Sequence, residues 1–202
     1  MDTLPRLIRV HRSLNAEHID DIAAHVDTQC AAWQHLFKPG EKIALAVGSR
    51  GISNMALIAK RIVAFFKNHG CEVVVIPAMG SHGGATAEGQ REVLEGYGIT
   101  EEYVGAKILS SMDTVELDSS GLENRVFLDK TAFSCDSIIV VNRIKAHTDF
   151  SGEIESGLLK MCAIGLGKQK LAQELHSRGL EGLRTLIRPS AERIIKQGSV
   201  KL

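Results

Sequence analysis

Three short apolar runs, IALAV at residues 43–47, EVVVI at 72–76 and DSIIVV at 136–141, alternate with longer segments in which apolar residues recur at helical spacing. A strand covered on both faces reads as such a run, whereas a half-exposed strand would alternate apolar with polar. Ahead of the first run, Ile19, Ile22, Ala23, Val26, Cys30 and Trp33 predict a helix over residues 15–36, with Asn15 as its cap and Glu17 in its first turn. Met55, Ile58, Ile62, Phe65 and Phe66 predict a second helix, opened by Ser53 and closed by Gly70. A third begins near Ala87. Strand, helix and strand within about thirty-five residues make a βαβ unit.

Weaker signals fill the rest. Residues 7–10 fit a short strand, 101–104 a short acidic helix, and 107–109, 114–117 and 125–128 brief strands forming a small antiparallel addition. Ser151 and Gly152 are expected to open a helix that carries Lys160 among Leu158, Leu159, Met161 and Ile164. A second helix, 169–178, folds back on it after a break at 165–168, and 183–195 is again helical. The final GSVKL reads as the start of another strand, as though a second domain were about to begin. The fold class that follows is α/β: a three-layer, mostly parallel, Rossmann-like sheet with βαβ units and a small antiparallel addition. Residues 1–202 suit a single such domain.

Composition narrows the partners. Lysine plus arginine, 24, equals aspartate plus glutamate, 24, which excludes the basic excess of a nucleic-acid surface or polybasic membrane anchor. No apolar run reaches membrane-spanning length, and the arginine-bearing start lacks the apolar core of a secretory signal, so the expected location is cytoplasmic. Cys30, Cys71, Cys135 and Cys162 form no CxxC pair and are expected to be buried small hydrophobes. His18, His25 and His35 lie off the apolar stripe and are expected at the surface.

Ordering the strands gathers the candidate chemistry. Arg50 follows the first run, His82 the second and His147 the third, and in open α/β sheets ligands bind beyond the carboxyl ends of the strands. An arginine presents a planar fork suited to a carboxylate, and two histidines can exchange the roles of base and acid near neutral pH. PAMGSHGGAT, residues 77–86, surrounds His82 with glycines. It could cradle an anion at a helix start or be a glycine-rich turn, and it lacks the lysine and spacing of a P-loop. Lys160 and His176, sixteen positions apart, are either a surface lysine and a surface histidine, which spacing alone favours, or a candidate covalent anchor and a candidate metal ligand. A lysine among apolar neighbours must otherwise reach water, because burying an unpaired ammonium is costly.

VGSRGISN at 47–54, PAMGSHGGAT at 77–86 and above all NRIKAHTDFSGEIESGLLKMCAIGLGK at 142–168, followed by His176, resemble the amino-terminal domain of the lactate racemase family, whose members use a nickel-pincer nucleotide. The resemblance runs from about Ile43 to His176. It implies an isomerase, a racemase or epimerase of a small 2-hydroxy acid, in which His82 and His147 take and return the hydroxyl proton from opposite sides and Arg50 holds the carboxylate. It also implies Lys160 joined to the nickel-pincer nucleotide through a thioamide, and His176 as the protein ligand to nickel. Two departures bear on this. Val47 stands where the racemases have an aspartate, so cofactor contacts should differ, and the interval from His147 to Lys160 is three residues longer here. The family's carboxy-terminal domain is not expected within these residues; that domain, or a second copy in a homo-oligomer, would cover the crevice.

Two readings of other classes remain beside it. His82, His147 and His176 could form a three-histidine metal hydrolase site with an open fourth position, which leaves Lys160 without a role. Alternatively, the crevice could hold a nucleotide or partner domain without catalysis.

Overall fold

The computed structural model describes residues 8–13, 17–49, 51–146 and 151–201. In chain order the first elements are α1 (Ile22–Trp33), β1 (Lys42–Val47), α2 (Met55–Asn68), β2 (Glu72–Pro77), α3 (Ala87–Gly96), α4 (Glu101–Val104) and β3 (Lys107–Ile108). They are followed by β4 (Thr114–Leu117), β5 (Val126–Asp129), α5 (Lys130–Phe133) and β6 (Ser137–Val141). The chain then forms α6 (Leu158–Lys160), a π-helical segment (Met161–Leu166), α7 (Lys168–His176), α8 (Gly179–Thr185), α9 (Ile187–Gln197) and β7 (Val200–Lys201). The main sheet has the order β3-β2-β1-β6-β7, and every pairing in it is parallel. Since β1 leads outward to β2 on one side while β6 lies on the other, the strand order reverses between β1 and β6. In a sheet of this kind that point is where a ligand crevice opens.

The apolar runs are continuous because both faces of the strands are covered. Ala44, Ala46, Val74, Ile76 and Ile138 pack with Leu166, Leu171, Leu175, Ala191 and Ile194 on one side. The intervening Ile43, Leu45, Val47, Val73, Val75 and Ile139 pack with Met55, Ala59, Val63 and Phe66 on the other. This period of two across the strands, with helices on both sides, gives the expected three layers. The four cysteines are free and buried, and His18, His25 and His35 are exposed, both as expected.

Several local expectations need correction. Residues 8–10 form no strand, and Ile8 and Val10 are exposed. α1 starts six residues later than the sequence suggested, at Asp21, whose side chain accepts from Ala24 N at 2.9 Å; Asn15 lies outside the described residues. This helix meets the rest of the domain along one side only, where Arg61 of α2 pairs with Asp27, so Trp33 stays 47 % exposed. α2 is capped at Asn54, in the left-handed region, rather than by a bond from Ser53. β3 joins the main sheet beside β2, so only β4 and β5 make the antiparallel pair. Residues 151–157 are irregular, and the helix bearing Lys160 begins only at Leu158.

At the end of β2 sits a feature that the apolar pattern conceals. Lys168 is fully buried, and its ammonium donates to Pro77 O at 2.6 Å and to Gln90 Oε1 at 3.1 Å. It also lies 3.0 Å from Asp129 Oδ2, an ionic contact rather than a well-aligned hydrogen bond. Asp129 is itself fully buried, and its other oxygen caps α5 by accepting from Ala132 N at 2.8 Å. Burial pushes the Lys168 ammonium below the usual lysine range, and the aspartate draws it partly back. Lys168 also has φ 55°, a left-handed conformation that costs a non-glycine residue about 1–2 kcal/mol. Three oxygens from β2, α3 and β5 thus hold the joint between the π-helical segment and α7. Next to that joint, Gly165 lies so close to the exit of β2 that a Cβ there would meet Ala78 O at 2.7 Å.

Two stability outcomes follow. Asp129→Ala leaves a buried ammonium without its counter-ion and should cost about 3–5 kcal/mol in urea unfolding, whereas combining it with Lys168→Met should cost clearly less than the two single changes summed. Gly165→Ala should lower stability by about 1–3 kcal/mol through overpacking against Ala78, which thermal unfolding will read directly.

Candidate functional site

The loops that leave β1, β2 and β6 all open into one cleft of about 330 Å³. Gly48 and Ser49 come from the first; Ala78, Met79, Ser81 and His82 come from the second. Asn142, Arg143 and Lys145 come from the third. The far wall is the segment carrying Glu155, Lys160, Met161, Ile164 and Gly165, together with His176 at the end of α7. Of the five residues singled out from sequence, His82, Lys160 and His176 therefore line the same space. Arg50 and His147 lie outside the described residues. Among the described residues no group of three histidine, cysteine, aspartate or glutamate side chains is placed to hold a metal ion.

His82 is held at several points. Its backbone N donates to Met79 O at 3.1 Å, and its carbonyl accepts from Gln90 Nε2 at 3.2 Å, the amide whose oxygen is bound by Lys168. The ring Nδ1 is hydrogen-bonded to Ser49 Oγ, and the Ser49 carbonyl accepts from the hydroxyl of Tyr97. The glycines around it serve backbone packing: a Cβ on Gly83 would lie 2.5 Å from Gly89 C, so the loop rests directly on the first turn of α3. That turn is capped by Thr86, whose hydroxyl accepts from Gly89 N at 3.0 Å. The glycine-rich turn therefore has a steric reason of its own.

Lys160 resolves its dilemma at the cleft wall. It is half-buried, its ammonium donates to Glu155 O at 3.1 Å, and Met161 beside it is buried in the core. Directly after it the helix widens into a π-helical turn over Met161–Leu166, a form rare in proteins and frequent near functional sites. Residues 151–157, ahead of the helix that carries Lys160, are irregular. That stretch is tied back to the loop after β6. Asn142 Nδ2 donates to Gly157 O at 3.0 Å, and Lys145 N donates to Ser156 Oγ at 2.7 Å. Cys162 lies two residues from Lys160, but burial pushes its thiol up to about 12, which removes it as a nucleophile near neutral pH.

The cleft's charge is lopsided. Arg143, Lys145 and Lys160 face a single carboxylate, Glu155, among the described lining residues, although the whole chain is neutral. Sequence reading found the polar loop after β6 but gave no individual role to Ser49, Gln90 or Lys168. The one available signal was a lysine ending the otherwise apolar run MCAIGLGK, and nothing in spacing pointed it at Asp129. No described helix is long and apolar enough to cross a membrane.

Comparison with curated proteins finds no match. A family profile described as the lactate racemase N-terminal domain matches residues 7–183, which takes in β1 to β6, the π-helical segment, α7 and all five residues singled out above. The chain, with its parallel sheet and its cleft at the strand exits, belongs to the lactate racemase N-terminal domain family.

Proposed function

We propose that this chain is the amino-terminal domain of a racemase or epimerase of a small 2-hydroxy acid that works with a nickel-pincer nucleotide. The observation that carries the reading is that His82, Lys160 and His176, far apart in sequence, line one cleft at the point where strand order reverses. The residues suit the group. A lysine amine on the wall offers a covalent anchor, an imidazole at the end of α7 offers a metal ligand, and the cationic lining favours a phosphate-bearing nucleotide and an anionic substrate. When bound, the nucleotide would supply the centre that accepts and returns a hydride at the substrate carbon.

The chain's own side chains would do the rest. His82 would take the proton from the substrate hydroxyl and later return it, with His147 doing the same from the opposite side. One histidine acts as base while the other is poised as acid, and the roles exchange with direction. Arg50 would grip the carboxylate in a two-pronged contact, fixing which face of the reacting carbon meets each histidine. Arg143 and Lys145 would raise the local concentration of an anionic substrate.

Co-production with the enzymes that make the nucleotide should yield a chain with an added mass and visible absorption, both lost in Lys160→Ala. An unmodified wild-type chain, or an unchanged adduct in that variant, would falsify the anchor. With the loaded protein, a single enantiomer of a 2-hydroxy acid deuterated at C2 should give its mirror image with the label retained. His82→Ala should slow this about 10²–10⁴-fold, the usual contribution of a positioned acid–base group; a rate within a few-fold of wild type would remove His82 from proton transfer.

A further inference from the structure

We infer that Ser49 is a positioning residue for His82, whose hydroxyl accepts a hydrogen bond from Nδ1–H and so keeps the ring in the tautomer that works through Nε2. This inference rests on the proton-transfer role proposed for His82.

The contact joins two strand exits 33 residues apart in sequence. On the Ser49 side the backbone has little freedom. Ala78 N donates to Val47 O at 2.8 Å, tying the end of β1 to the end of β2, and the Ser49 carbonyl is held by the Tyr97 hydroxyl from the end of α3. A Cβ on Gly48 would already lie 3.5 Å from Met161 Sδ, so the loop is packed against the π-helical wall. On the His82 side, bonds to Met79 O and from Gln90 Nε2 fix the backbone and leave the ring torsions to be set by side-chain contacts. The restraint on both backbones gives this exposed pair of side chains a definite geometry.

The chemistry specifies which way the bond should run. A neutral histidine carries one ring proton, and the nitrogen without it is the basic one. For Nε2 to accept the substrate proton, the ring's own proton must sit on Nδ1, and it stays there when the imidazolium forms. Ser49 Oγ can accept from Nδ1–H in both states, so the hydrogen bond survives the whole cycle without rearrangement. Unlike a carboxylate at the same place, a hydroxyl brings no charge, and His82 can then return its proton as readily as it takes it. Here the orienting partner of a working histidine, commonly a carboxylate or carbonyl, would be a serine.

The tautomer can be read without the nucleotide. In the unloaded full chain, ring-nitrogen NMR of His82 above its titration should show Nδ1 protonated. Ser49→Ala should shift the ring toward the Nε2–H tautomer, and Ser49→Thr should restore the wild-type spectrum. In the loaded protein, Ser49→Ala should lower kcat about 10–100-fold, the range for loss of a partner that orients a histidine, with Ser49→Thr close to wild type. An Nε2–H tautomer in the wild-type chain, or a tautomer indifferent to Ser49→Ala, overturns the inference even if the loaded protein interconverts hydroxy acids. A tautomer that follows Ser49 in a loaded protein without such activity upholds the Ser49–His82 coupling and sinks the proposed reaction instead.

Discussion

The buried ammonium of Lys168 is the contact on which the site side of this domain depends. It stands where the chain turns from the π-helical segment into α7, in a backbone conformation that glycine would adopt at less cost, and it is kept there by Pro77 O, Gln90 Oε1 and Asp129. Each partner belongs to a different part of the molecule: the end of β2, the middle of α3, and the junction of β5 with α5. Because an ion in a low-dielectric interior cannot be left half-satisfied, these parts are bound to one relative placement. Gln90 extends that placement to the surface, since the amide that receives Lys168 also donates to Gly80 O at 2.8 Å and to His82 O. A buried charge thereby sets the position of a cleft histidine that it does not touch.

The cleft itself follows from the topology. Strands running parallel send their exits to one edge, and reversal of strand order between β1 and β6 separates the loops there enough to admit a ligand. The helical layer then comes up to that edge, with Gly165 against the backbone of Ala78 and the Met161 side chain against Gly48, so Lys160 and His176 line the same cleft as the strand exits. The widened turn after Lys160 is part of the same accommodation, because it carries the chain from the cleft wall down into the core. Cations gathered at this edge give an otherwise neutral molecule a local preference for anions.

Much of the fold is legible in the chain. Continuous apolar runs mark β1, β2 and β6 because strands covered on both sides need no polar face, and their spacing by helical segments implies a parallel sheet. The antiparallel pair β4–β5 and the final β7 left weaker signals, and β7 pairs with β6 in the main sheet instead of opening a second one. What misled was local signal without tertiary competition: Ser151 and Gly152 look like a helix start, yet the chain there is tied through Asn142 and Lys145 to the loop after β6. α1 begins instead where Asp21 caps it by accepting from Ala24 N.

The sequence by itself determined the three-layer α/β class, the central strands β1, β2 and β6, and that Arg50, His82 and His147 each follow one of them, because periodicity and strand polarity are local properties of the chain. Its motifs also carried the family. Only the tertiary structure decided that His82, Lys160 and His176 share one cleft, that Ser49 meets the ring of His82, and that Lys168 is buried against Asp129. Those facts depend on which loops and helices pack together across the sheet. No spacing encodes that a lysine 39 residues from an aspartate will neutralise it, because the pairing exists only once β5, α3 and α7 have closed around the same point.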